Sequence, residues 1–241
     1  MHRSGTSAIT RSLADSGLTL CPSADLLPAN HNNAAGFWES QAIVGLNEAL
    51  YRKVGATWDE PPKPDPGWGP GHRWEAAARP MLDWLFAPSP WVIKDPRLCL
   101  TLPFWLGILK EPPAIVLVLR HPLAIARSLM ARDGLAPEKA LALWHCHLAA
   151  ALLHCVGLRT LVVSYEDVLE RPATWHAAKC AFLHGLGIEA TDGANYLGST
   201  MDPAMQHWKE RDGQSMTSDQ QHVWNAAVSL LGTHSALPGV V

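Results

Sequence analysis

The first seven residues carry the densest set of anion-binding groups in the chain. In Met1-His2-Arg3-Ser4-Gly5-Thr6-Ser7 a cation, a small residue, a glycine and two hydroxyls run straight into a helical pattern, Ala8 to Leu13. Gly5 permits a tight turn in which successive N–H groups point at one anion. The helix behind it adds unpaired N-terminal donors and the positive end of its dipole. Arg3 supplies a charged fork, and Thr6 and Ser7 supply hydroxyl donors. The same residues also suit an ordinary helix N-cap, a position that Ser and Thr favour. They do not spell a nucleotide-triphosphatase loop, G-x-x-x-x-G-K-[ST], because no lysine follows Gly5 and no earlier glycine exists. The cation precedes the glycine, which describes a phosphate loop without triphosphate and magnesium equipment.

Other reactive side chains stand where apolar runs end. Trp91-Val92-Ile93 runs into Lys94-Asp95-Pro96-Arg97 and reads as a short buried strand reaching the sheet edge where open α/β sheets place their sites. Lys94 and Arg97 equally suit ordinary ion pairs with Asp95. Ala114 to Leu119 is continuously apolar and β-branched, a strand buried on both faces. It ends in Arg120-His121-Pro122, and the helix after the proline carries Ser128. An arginine leaving a buried strand needs an anionic partner, either a ligand or a protein carboxylate. Arg127 and Arg132, on the same helix, read as solvated. A third strand, Arg159 to Ser164, runs into Tyr165-Glu166-Asp167. Gly36-Phe37-Trp38-Glu39-Ser40 opens a helix with Ile43, Leu46, Leu50 and Val54 at helical spacing, and Glu39 at its start suits the helix dipole.

Further helices are expected at Thr6–Gly17, about Trp74–Phe86, Pro137–Val156, about Ala173–Leu186 and Ser218–Leu231. Strands alternating with helices predict an α/β fold, one domain over residues 1–241 with a central parallel sheet flanked by helices. A loop of this kind leaves the C-terminal end of a buried parallel strand. No such strand precedes Gly5, so the presenting strand is expected from residues upstream of Met1 or from another segment. Residues 28–33 read as a polar loop, residues 59–71 as a Pro/Gly-rich surface loop or flap, and residues 188–241 carry little pattern before the last helix.

Composition excludes several classes. A chain that is 48 % hydrophobic and 17 % charged is a folded globular protein, not a disordered one. A net charge of −3 gives no general attraction to nucleic acid or anionic membrane, so any anion site is local. No run of 18 uncharged apolar residues appears, and no membrane span is predicted. Five scattered cysteines without a signal peptide favour free thiols in a reducing, cytoplasmic setting. Trp144-His145-Cys146-His147 and His154-Cys155 suggest a metal at first sight. Helical zinc pairs sit at i and i+4, however, whereas His147 and His154 are seven apart, and no metal is expected.

Taken together these residues resemble the sulfotransferase superfamily, in particular the bacterial sulfotransferases with an HRSGTS loop. His2-Arg3-Ser4-Gly5-Thr6-Ser7 is similar to the superfamily loop that binds the 5′-phosphosulfate end of 3′-phosphoadenosine 5′-phosphosulfate. Arg120 and Ser128 reproduce the spacing of the arginine and serine that bind its 3′-phosphate. Lys94-Asp95-Pro96-Arg97 and Ser164-Tyr165-Glu166-Asp167 are two further matches, with Tyr165 at a position resembling an adenine contact. The likeness runs from His2 to Asp167 and says little beyond Gly187. It implies a P-loop-like α/β fold, the cofactor-binding set Arg3, Ser4, Gly5, Thr6, Ser7, Arg120, Ser128 and Tyr165, and no metal. One departure lies at Met205-Gln206-His207, where related sequences often carry arginine in place of Gln206.

The resemblance further implies transfer of a sulfuryl group to a hydroxyl or amine of a carbohydrate or other small-molecule acceptor. Such an in-line displacement relies on positioning and electrostatic stabilisation. Arg3 would stabilise the leaving phosphate, Glu39 would act as general base, and Lys94 would orient the sulfuryl oxygens or the base with Asp95 as its own partner. Trp38, Trp58 and Trp68 are candidates for stacking on the acceptor. Two alternatives stay open: a non-catalytic, truncated or degenerate nucleotide-binding protein, and an ATP-dependent phosphotransferase using Asp95 or Asp167 for magnesium.

Overall fold

The apolar runs expected at the centre form adjacent strands. The computed structural model describes residues 1–29, 36–63, 67–68, 74–86, 90–191 and 215–240, and every structural statement concerns these. Strand β1 is Ile115–Leu119 and β2 is Thr160–Ser164. They pair in parallel, with Ile115 opposite Thr160 and Leu119 opposite Ser164. A third strand, β3 (Gly232–His234), pairs antiparallel with β2, so the sheet is α/β in character without being wholly parallel. Successive strand residues face opposite sides. Leu117, Leu119 and Val162 therefore enter one core cluster, while Val118, Leu161 and Val163 enter another.

Helices cover both faces. One face packs against α5 (Pro122–Asp133), α6 (Pro137–His154) and α9 (Ser218–Ser229). The other packs against α1 (Thr6–Ala14), α7 (Tyr165–Glu170) and α8 (Pro172–Gly185). Proline opens α5, α6 and α8, where its missing N–H leaves no helical bond unmade. A separate core joins α2 (Gln41–Lys53), α3 (Glu75–Leu85) and α4 (Leu98–Ile108). The sequence pattern missed α4, which is apolar on all sides and carries Pro103. That proline cannot bond to the carbonyl four residues back, at Cys99, and His154 Nδ1 donates to this oxygen instead at 2.9 Å. His147 likewise donates from Nδ1 to the Leu143 carbonyl at 2.8 Å.

Trp91 to Ile93 is not a strand. Thr19 forms an isolated parallel bridge with Trp91, through Thr19 N–H to Pro90 O at 2.9 Å and Val92 N–H to Thr19 O at 3.0 Å. Beyond that bridge the run forms no ladder with any described residue. Beneath α1, the buried Lys179 donates to the carbonyl and the hydroxyl of Ser12 at 3.1 and 3.2 Å, beside Trp175 Nε1 on the same hydroxyl at 3.1 Å. Burial holds the Lys179 ammonium below its ordinary pKa. No described helix is long and apolar enough to cross a membrane. The five cysteines are free thiols. The Asn30–Asn33 part of the polar loop, part of the 59–71 loop, and Gln206 lie outside the described residues.

Candidate anion cradle and buried ion pair

The parallel register sets the first half of the site. Because Leu119 lies opposite Ser164, the residues just after them, Arg120 and Tyr165, emerge side by side at the C-terminal edge. The Arg120 guanidinium lies over the Tyr165 ring, 5.2 Å from its centroid, a cation–π contact in a desolvated setting. Burial raises the pKa of the Tyr165 hydroxyl. The turns are laced together as well. Glu166 accepts from the His121 N–H at 3.1 Å and from Ser164 Oγ at 3.2 Å, and Ser164 also caps α7 through the Asp167 N–H at 3.3 Å. Glu166 carries no sequence signal of its own; only the pairing of the two strands gives it this place.

The N-terminal loop wraps onto that edge. Arg3 and Gly5 adopt left-handed backbone conformations, φ +63° and +81°. Gly5 is the N-cap of α1, and the Ala8 N–H reaches its carbonyl at 3.1 Å. A Cβ at Gly5 would stand 2.1 Å from the Tyr165 ring, so only glycine fits beneath the tyrosine. Arg3 Nε donates to Ser128 Oγ at 2.7 Å, and Arg120 donates to the Arg3 carbonyl at 2.7 Å. Ser4 is buried, while Thr6 and Ser7 are half-buried at the first turn of α1. A small cavity runs below the loop between Ser4, Leu119, Arg120, Trp144, His147 and Trp224.

The charge balance of this cradle is positive. Arg3 holds its proton less tightly than an ordinary guanidinium, first because it is buried and then because Arg132 and Arg120 repel it. The Arg132 side chain is only 18 % exposed, so it is not the solvated residue expected from the sequence. Its guanidinium lies 5.6 Å from the centre of the Trp58 ring, and that ring meets His2 edge-on at 5.3 Å. Its i, i+4 spacing from Ser128 was the available signal, since residues four apart share a helix face.

The second half of the site is an ion pair. Ser7 Oγ donates to the Phe37 carbonyl at 3.2 Å and ties the loop helix to the segment ahead of α2. There Ser40 caps α2, and Glu39, one residue earlier, turns into the protein rather than serving the helix dipole. Glu39 forms a short ion pair with Lys94, both side chains being about nine-tenths buried. Burial raises the Glu39 pKa above the ordinary carboxylate value, against the opposing pull of Lys94.

Asp95 is not the partner of Lys94 expected from the sequence. Its carboxylate accepts from the Arg97 N–H at 2.9 Å, Arg97 guanidinium at 3.0 Å and Asn47 amide at 2.9 Å. Arg97 also reaches Glu48 at 2.7 Å, and Trp105 donates to Asn47 at 2.9 Å. Asp95 thus locks α2 to α4 and leaves Lys94 to Glu39. Of the three tryptophans, Trp68 is a core residue stacked on Tyr51, Trp38 lies under Arg11, and Trp58 stands next to the cradle. The described residues contain no group of three or more His, Cys, Asp or Glu arranged to hold a metal. Compared with known protein families, curated proteins and solved structures, the chain matches none.

Proposed function

We propose that this protein is a sulfotransferase of P-loop-like fold that uses 3′-phosphoadenosine 5′-phosphosulfate and acts on a hydroxyl or amine of a carbohydrate or small-molecule acceptor. The observation that carries this reading is the hydrogen bond from Arg3 to Ser128, closed by Arg120 on the Arg3 carbonyl. It joins the loop at residue 3 with two residues more than a hundred positions away, around a helix N-terminus with a cationic balance. That arrangement suits a ligand with two phosphate groups, one at the α1 N–H groups and one among Arg3, Arg120 and Ser128. Gly5 and Tyr165 support it with a close-packed floor that keeps the loop backbone low.

The co-substrate supplies the sulfuryl group and departs as adenosine 3′,5′-bisphosphate. Arg3, standing between the two phosphate positions, and the N–H groups at the start of α1 stabilise charge on the leaving phosphate, and removing one such donor typically costs about 10²–10³ in rate. Glu39 takes the acceptor proton. Its raised pKa brings it closer to neutrality, where a general base works best. Lys94 fixes the Glu39 carboxylate and opposes the upward pull of burial on its pKa. An ATP-dependent phosphotransferase is disfavoured, because Asp95 is held by Arg97 and Asn47 and Asp167 pairs with Arg171.

The deciding experiment is a calorimetric titration with adenosine 3′,5′-bisphosphate, with magnesium ATP as control. Micromolar binding of the bisphosphate alone is expected; ATP binding as well as or better than the bisphosphate would overturn the reading. Arg120→Ala should weaken bisphosphate binding by more than about tenfold, the loss of one charge-assisted contact. An unchanged dissociation constant would remove Arg120 from the site. Glu39→Gln should lower turnover by about 10²–10⁴, the usual worth of a general base, while bisphosphate affinity stays within about twofold. Steady-state rates with an acceptor alongside calorimetry separate the two effects, and full turnover in the variant would exclude Glu39 as the base.

A further inference from the structure

Arg132 and Asp133 form a pair that helix geometry does not favour. Adjacent residues on a helix do not face each other, yet Arg132 Nε lies 2.9 and 2.8 Å from the two Asp133 oxygens and a terminal nitrogen lies 2.7 Å from one of them. Asp133 is also the last residue of α5, followed by Gly134 at φ +66°, where a carboxylate opposes the helix dipole. The two side chains are only 18 % and 20 % exposed. The acid at the unfavourable end of the helix is held by the Arg132 fork, and this pairing of neighbours is what positions the guanidinium.

Three observations place Arg132 beside the cradle. It stands one helical turn beyond Ser128, the acceptor of Arg3. It stacks on Trp58, which meets His2, the residue next to Arg3. After burial, the Arg132 charge is a further cause of the lowered Arg3 pKa. Arg120 lines the cavity beneath the loop, Arg3 closes onto Ser128 above it, and Arg132 follows Ser128 on the same helix face with Asp133 as its partner.

We infer that Arg132 is a third cationic ligand of the cradle, exchanging its fork from Asp133 to the phosphate that Arg3, Arg120 and Ser128 hold. Trp58 keeps the guanidinium plane in place during that exchange, so the segment ahead of the Pro/Gly-rich loop takes part in anion binding without touching the anion. The inference rests on the proposed nucleotide-bisphosphate site and assigns it a residue beyond those the resemblance supplies.

The test compares adenosine 3′,5′-bisphosphate with adenosine 5′-monophosphate by calorimetry on the wild-type protein, Arg132→Ala and Arg132→Lys. Arg132→Ala should reduce the preference for the bisphosphate by about tenfold or more while leaving the monophosphate affinity within about twofold. Arg132→Lys, which keeps the charge without the planar fork, should fall between. A merely structural Arg132 would weaken both nucleotides equally, and an equal loss overturns the inference, as does an unchanged preference. Wild-type protein that binds neither nucleotide would instead overturn the proposed function and this assignment with it.

Discussion

Lys94→Met is expected to destabilise the protein by roughly 3–5 kcal/mol at neutral pH, because it leaves the buried Glu39 carboxylate without its countercharge. The pH dependence identifies the cause. Burial already raises the folded-state pKa of Glu39, and removing Lys94 raises it further. For an acid with a raised folded pKa, the folded state binds the proton more tightly than the unfolded chain. Stability is then greatest below the ordinary carboxylate value and declines as pH rises through the folded pKa. The variant should therefore recover much of its lost stability on acidification, in a window that starts at its own folded pKa. Urea unfolding at about pH 5 and pH 7.5 reads this directly. An equal deficit at both values would mean that Glu39 is not left as a buried charge. The double variant Lys94→Met with Glu39→Gln should regain most of the stability at neutral pH, since a neutral pair of similar volume carries no uncompensated charge. It should regain none of the activity.

Gly5→Ala should have the largest effect on the cradle. Its backbone sits at φ +81°, which costs a residue with a Cβ roughly 1–2 kcal/mol. The added methyl would also lie 2.1 and 2.2 Å from two carbons of the Tyr165 ring, so the ring or the loop must move. Tyr165 carries Arg120 on its face, and Arg120 holds the Arg3 carbonyl. The displacement therefore passes to both arginines. The expected outcome is a turnover loss of about 10²–10³ with Tm lowered by roughly 4–8 °C, the equivalent of about 2 kcal/mol in a chain of this size. Thermal melts and rate measurements on the same preparation check both parts. An unchanged melt with full activity would show that the tyrosine does not pack on the glycine in solution.

The two parts of the site were not equally legible. The loop is contiguous, and its chemistry follows from residue types read side by side. Arg120 and Tyr165 were visible because each follows a short, continuously apolar strand, and such strands carry a strong local signal. Lys94 was read beside Asp95 because they are neighbours in sequence. The structure gives Asp95 to Arg97 and Asn47, and Lys94 to a glutamate 55 positions away. Helix α4 escaped notice because a helix buried on all sides has no polar face to set a period, and Pro103 reads as a breaker. Strand β3 has only three residues, Gly-Thr-His, and exists through its ladder with β2 rather than through any strand preference of its own. Arg132 was set aside as solvated because its spacing from Ser128 was the one signal in the sequence, and the contact with Trp58 comes from a segment more than seventy positions away.

By itself, then, the sequence determined the alternation of strands and helices, the run of cation, glycine and hydroxyls at residues 3–7 ahead of a helix, and the strand ends that carry Arg120 and Tyr165. These are local properties, set by periodicity, capping and backbone freedom over a few residues. The tertiary structure alone decided which charges meet. It buried Glu39 against Lys94, closed Arg3 onto Ser128 and left Arg132 at the edge of the cradle. Desolvation is the reason: the partner of a buried charge is whichever opposite charge packing brings into the same dry volume, and sequence separation has no bearing on that choice.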